Sequence, residues 1–348
     1  MINIKEKKKI GVVYICIFPE GKNKNYLEKY TSLINQIEMT CISIAKLQNL
    51  VDVVIISNET KKIRSCNFIK NFNSRNLRII KLENNDLKIC NSNKNKQFQY
   101  TFSKIDCLEI IEKLFVDNHG IDTLVLSDID TIFLDINKIF NFSRNIKNFA
   151  AIDYRNEHPS KINFDNFMSD LISKTFSFKD QKKIPKKLSW INSGFMIIRK
   201  DFLRDLKLMA FKSYEFISTE KERAEKDMHW TDEVVFSAIF NYVKGIPIKN
   251  KNGQIARFIW TCNVDLPYFI NPFFYPSHIH LPAIKWNNMQ MKLLNKLAKY
   301  PNYKFNSIFF INLWSLLGRI NSKKSKILVY KIIIKTVTEI EKFIVHFF

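Results

Sequence analysis

Four polar stations stand beside apolar elements along this chain: Asp128-Ile129-Asp130, Asn192-Ser193-Gly194, Asp232-Glu233, and His278/His280 with Lys285-Trp286. The first has the plainest chemistry. Two carboxylates one residue apart, at the end of an apolar run, repel each other and lose hydration, so a bound cation is the natural resolution. Each station also has a purely structural use. Aspartates cap turns and helix starts, and Gly194 can supply a positive φ in a turn. Asp232 and Glu233 suit the positive end of a helix, and a lone histidine is more often structural than a ligand.

The elements that must position these residues follow from periodicity. Ile10 to Phe18, Val51 to Ser57, Leu77 to Leu82 and Ile121 to Ser127 are short apolar runs that read as buried strands. Between them, 26–47 and 98–116 carry apolar residues at helical spacing, including Ile37, Cys41 and Ile44 in the first and Ile105, Leu108 and Ile111 in the second. Alternation of strand and helix predicts an α/β fold, a mostly parallel sheet built on βαβ units. The Asp128 pair then falls at the C-terminal edge of a strand, where open α/β sheets place ligands. Further along, 149–153 reads as a strand, and Asn192-Ser193-Gly194 as a turn opening the strand that follows. A helix is expected from Asp201 to about Lys226, and another after Thr231, whose hydroxyl can cap it. Ile246 to Ile248 and 258–260 read as further short strands.

With 348 residues, the chain is expected to divide into a main α/β domain over 1–288 and a basic helical extension over 289–348. The net charge of +22 suggests an anionic partner, although most lysines lie scattered in loops. No finger spacing or aromatic-interleaved basic repeat favours nucleic acid, and none is expected as a partner. The final helix, 327–348, places Lys331, Lys335, Glu339 and Lys342 on one stripe, a Lys-rich pattern suited to an anionic membrane surface or to packing on the sheet. Six cysteines lie far apart without C-x-x-C, as buried thiols in a reducing compartment would. The expected location is cytoplasmic, peripheral on the inner face of a membrane.

Taken together and in order, the stations resemble the GT-A-fold glycosyltransferases that use nucleotide-sugar donors, most closely glycosyltransferase family 8. That family's D-x-D is matched by Asp128-Ile129-Asp130, its N-[SA]-G by Asn192-Ser193-Gly194, and its acidic pair by Asp232-Glu233. Its closing H-x-x-G-x-x-K-P-W is matched loosely, by His280, Lys285 and Trp286, with neither the Gly nor the Pro present. The resemblance spans about residues 10–290. It implies a metal-dependent, retaining transfer of a hexose from a UDP-sugar to a glycan or lipid-linked acceptor, of the kind used in lipopolysaccharide or capsule assembly. By the same resemblance Asp128, Asp130 and His280 hold the metal, with His278 as the alternative ligand. Two carboxylates and an imidazole put Mn²⁺ ahead of Mg²⁺. Asn192, Ser193, Gly194 and Asp232 hold the donor sugar, Asp128 is shared between metal and donor, and Lys285 and Trp286 close on the diphosphate. Glu233 stands near the anomeric carbon where the family usually has Gln. Lys104 is expected either at the diphosphate or as a solvated helix residue.

The rivals are an aspartyl-phosphate phosphatase and a non-catalytic basic protein binding membrane or nucleic acid. The phosphatase motif runs D-x-D-x-[TV], but Ile132 holds its last position. Acidic stations without a metal would repel the anions that a purely basic binder needs.

Overall fold

The computed structural model describes residues 9–18, 24–45, 50–66, 69, 72, 76–92, 100, 102–118, 120–153, 155, 164–176, 188–220, 231–248, 256–257 and 278–280. Their strands are β1 (Lys9–Cys16), β2 (Val51–Ser57), β3 (Leu77–Lys81), β4 (Ile121–Ser127), β5 (Thr131–Phe133), β6 (Phe149–Asp153), β7 (Ile191–Arg199), β8 (Ile246–Ile248), β9 (Ala256–Arg257) and β10 (His278–His280). The helices are α1 (Lys24–Ala45), α2 (Thr60–Arg64), α3 (Lys88–Ser92), α4 (Ser103–Phe115), α5 (Ile136–Ser143), α6 (Phe164–Thr175), α7 (Leu203–Thr219) and α8 (Asp232–Tyr242).

Seven strands form one sheet in the order β3-β2-β1-β4-β7-β6-β8, and β5, β10 and β9 form a second, small one. In the large sheet β1 pairs in parallel with β2 and β4, as β2 does with β3 and β6 with β8. Strand β7 is reversed and runs antiparallel to both β4 and β6. The expected mostly parallel α/β sheet is present, with this one reversal added.

Alternate side chains of the central strands enter two cores. Val13, Leu124, Leu126, Met196 and Ile198 pack with α4, α6, α7 and α8 on one face. Val12, Tyr14, Val125, Phe195 and Ile197 pack with α1 and α5 on the other. Both faces are therefore covered, which is why these strands read as unbroken apolar runs.

Several expectations need correction. Asn192, Ser193 and Gly194 form no turn; they lie within β7, because Asn192 still pairs with Ile152 of β6 and the amide of Asp128 donates to the Gly194 carbonyl at 2.8 Å. Helix α7 starts at Leu203, after a 3-10 turn over Lys200–Phe202, and ends at Thr219 rather than near residue 226, since Glu220 leaves helical geometry at φ −104°, ψ 29°. Thr231 precedes α8 in extended geometry but makes no capping bond with its side chain. In its place, the acidic pair Asp232-Glu233 occupies the helix's positive end. Helix α5, absent from the sequence reading, is capped by Asp135, whose Oδ1 accepts the Asn137 amide at 3.0 Å. The strand expected at 258–260 and the helical extension over 289–348 lie outside the described residues, as do Lys285 and Trp286. Among the described residues no helix is long and apolar enough to cross a membrane.

Candidate active site

The site is built where β4 stops. Its apolar run ends at Ser127, and the chain turns through Asp128, Ile129 and Asp130 into β5. This turn is held from α1. The Thr40 hydroxyl lies 2.6 Å from the Ile129 carbonyl and 2.7 Å from that of Thr131, and Ser43 Oγ accepts the Phe133 amide at 3.1 Å. Asp130, flanked by the two carbonyls at Thr40, is almost completely buried, whereas the Asp128 side chain stays 31% exposed.

Strand β10 brings the imidazole. It pairs antiparallel with β5 so that His280 faces Thr131 and His278 faces Phe133. His280 therefore sits beside Asp130, with Nε2 at 3.1 Å from Asp130 Oδ1 and 3.5 Å from Asp128 Oδ2. One potential ligand atom from each of the three residues falls within a 4.8 Å group. Octahedral bonds of about 2.1 Å place adjacent ligand atoms about 3 Å apart, so this spacing fits a small divalent cation. Burial opposes protonation of His280, but Asp130 and Asp128 outweigh it and raise the pKa above the usual histidine value. His278 points into different surroundings. Its ring stacks on Phe195 with centroids 3.5 Å apart, and burial drives its pKa well below the ordinary value. Of the two histidines, His280 is the one placed with the carboxylates.

Gly194 lines the same space by having no side chain. A Cβ there would stand 2.3 Å from His280 Cε1, 2.7 Å from Asp128 Oδ2 and 2.9 Å from Asn192 Oδ1. The glycine is needed for this close approach and not for a positive φ.

Lys104, in the first turn of α4, is 9% exposed. Its Nζ lies 2.8 Å from Asp128 Oδ1 and 3.4 Å from Asp232 Oδ2, and donates to the Ser193 carbonyl at 3.0 Å and hydroxyl at 3.2 Å. The solvated-lysine alternative is thereby excluded. Burial works against its charge, yet Asp128 and Asp232 prevail and raise its pKa beyond the ordinary lysine value. Asp232 is buried enough to be pushed up to about 6, with Lys104 pulling the other way and Glu233 and Asp128 adding to the rise. Asn192 Nδ2 donates to Glu233 Oε1 at 2.7 Å. Its Oδ1 is buried with no hydrogen-bond partner among the described residues, an acceptor open to a ligand hydroxyl.

Asp128, Asp130, Asn192, Ser193, Gly194, Asp232, Glu233, Lys104 and His280 are thus brought together, from four elements and the turn after β4. Thr40 was missed by the sequence reading. Its only signal is a polar position among Gln36, Thr40 and Ser43 on a helix otherwise chosen by apolar spacing.

Comparison with solved structures bears on the whole arrangement. The galactosyltransferase LgtC, solved in complex with donor and acceptor sugar analogs, superposes with a TM-score of 0.50 at 12% identity, over 82% of this chain and 95% of that one. An active-site mutant of LgtC gives 0.51 at 12% identity, over 86% and 99%. The fold is that of the GT-A glycosyltransferases. No protein-family profile matches the sequence, and no curated protein matches it. In this GT-A frame the described stations gather at the C-terminal end of β4.

Proposed function

We propose that this protein is a metal-dependent glycosyltransferase of the family 8 type, moving a hexose from a UDP-sugar to a glycan or lipid-linked acceptor with retention at the anomeric carbon. The observation that carries this reading is the convergence of Asp128, Asp130 and His280 with Lys104, Asn192, Asp232 and Glu233 in a GT-A sheet. Asp128, Asp130 and His280 would hold the cation, with Mn²⁺ preferred for a set that mixes carboxylates with an imidazole. A divalent cation bound there neutralises the diphosphate leaving group. Asn192 Oδ1 and Asp232 offer acceptors for sugar hydroxyls, and Glu233, held by Asn192, faces the reacting carbon. Lys104 sets a positive charge between Asp128 and Asp232, and Lys285 and Trp286 complete the diphosphate side. The basic pattern of 322–348 supports an acceptor at the cytoplasmic face of an anionic membrane.

The experiment is a thermal-shift screen of UDP-hexoses with and without Mn²⁺, followed by assay of UDP-sugar hydrolysis. Mn²⁺-dependent binding and slow hydrolysis are expected, with both the Mn²⁺ response and hydrolysis lost in Asp130→Ala and His280→Ala but kept in His278→Phe. Failure to bind any nucleotide sugar with any divalent ion would sink the proposal.

A further inference from the structure

Helix α8 carries the acidic pair, yet its apolar residues leave its orientation undetermined. Val234, Val235, Phe236, Ala238, Ile239 and Phe240 are all buried, so nearly the whole circumference is greasy. Hydrophobic burial has no direction, and a helix buried all round can rotate or slide at little apolar cost. A slip of one residue would move it by about 1.5 Å and turn it by about 100°. Asp232 would then leave Lys104 and Glu233 would leave Asn192.

A polar stripe breaks this degeneracy. Glu233, Ser237 and Asn241 are spaced four apart and share one face of α8. That face meets the leading end of β7. Asn241 Oδ1 accepts the Ser189 amide at 2.8 Å, and its Nδ2 donates to the Ser189 carbonyl at 2.8 Å. Ser237 Oγ accepts the Ile191 amide at 3.0 Å. The third member is the Asn192–Glu233 bond of the site itself. Helix and strand are joined at Ser189, Ile191 and Asn192, just ahead of the point where β7 shifts register against β6.

We propose that Ser237 and Asn241 are positioning residues that lock the rotation and axial register of α8 on β7, so that Asp232 and Glu233 are presented to the donor sugar. The inference rests on the glycosyltransferase reading. Neither residue touches the metal group, whose ligands come from the β4–β5 turn and β10.

The test compares Ser237→Ala, Asn241→Leu and the milder Asn241→Asp with Ile239→Val, which trims the same helix without touching the stripe. Tm, Mn²⁺ affinity, UDP affinity, and kcat and KM for UDP-hexose hydrolysis are measured on the full chain. Ser237→Ala and Asn241→Leu are expected to lower kcat by about tenfold or more, as a misplacement near 1 Å does. Asn241→Asp, which keeps the acceptor for the Ser189 amide, falls between these and wild type. Mn²⁺ and UDP affinities stay within about twofold, because the displaced Asp232 and Glu233 face the sugar and belong to neither the metal group nor the nucleotide contacts. At an equal loss of Tm, Ile239→Val retains kcat. Stripe variants that keep kcat, an Ile239→Val that loses as much, or a parallel loss of Mn²⁺ affinity each overturn the inference while leaving the enzyme reading intact. A wild-type chain that turns over no UDP-hexose overturns both.

Discussion

Lys104 and Asp128 meet at 2.8 Å through Oδ1, while Oδ2 of the same carboxylate lies 3.5 Å from His280. One aspartate thus divides its two oxygens between a permanent cation of the protein and a group of atoms that could hold a metal ion.

Removing that permanent cation has a calculable direction. In Lys104→Met the buried carboxylate of Asp232 and the part-exposed one of Asp128 lose their partner, and breaking a buried ion pair from one side costs about 3–5 kcal/mol. Urea unfolding should show a loss of that order in metal-free buffer. Added Mn²⁺ should stabilise the variant more than the wild type, since it supplies the missing charge. Equal stability of the two proteins without metal would mean that the ion pair does not hold the site together.

Gly194 offers a sharper probe of geometry. Gly194→Ala places a methyl 2.3 Å from the His280 ring and 2.7 Å from Asp128, so one of them must move. Overpacking of this kind costs about 1–3 kcal/mol, but the loss of hydrolysis should be far larger, on the order of 10²-fold for a displacement near 1 Å. Gly120→Ala, whose Cβ would meet nothing closer than 3.5 Å, is the control and should leave kcat unchanged. Similar kinetics for the two variants would place Gly194 outside the site.

Asp232 predicts a dependence on pH. Its carboxyl sits at about 6 in the folded chain against an ordinary value of 3.8. The folded state therefore holds this proton more tightly than the unfolded one. The stability tied to the protonated acid is fully present below about pH 3.8 and is lost as pH rises through about 6. A rise of roughly this size corresponds to a free energy on the order of 3 kcal/mol. Asp232→Asn escapes this loss, so its stability relative to wild type should rise between pH 4.5 and 7.5 in paired urea titrations. A gap that does not change with pH would contradict the assignment.

Much of the fold was legible because the central strands are buried on both faces, which leaves unbroken apolar runs such as Ile121 to Ser127. The direction of β7 was not. A strand covered on both sides has the same composition whether it runs parallel or antiparallel, and only its partners across the chain decide. Strands β5, β9 and β10 were invisible for another reason: they are two or three residues long and, unlike the Ile-Pro-Ile of β8, carry polar residues such as Thr131, Arg257, His278 and His280 that do not mark a strand. At the site, residue types identified the carboxylates, His280 and Asn192. They could not show that Lys104 is buried, since charge alone marks surface and site alike. Gly194 was read for its backbone freedom, when its use is the room it leaves for His280. Thr231 was read as a cap from its type, while burial and the neighbouring acids decided otherwise.

Strand β10 has a temporal consequence. During synthesis the Asp128–Asp130 turn leaves the ribosome about 150 residues before His280 does, and at typical elongation rates that is a delay on the order of 10 seconds. Through that interval a nascent chain can assemble β1, β2 and β4 while its acidic pair lacks the imidazole. On the proposed reading, the three-residue group that would hold the cation is completed late in biogenesis, only when a strand of three residues has found its place.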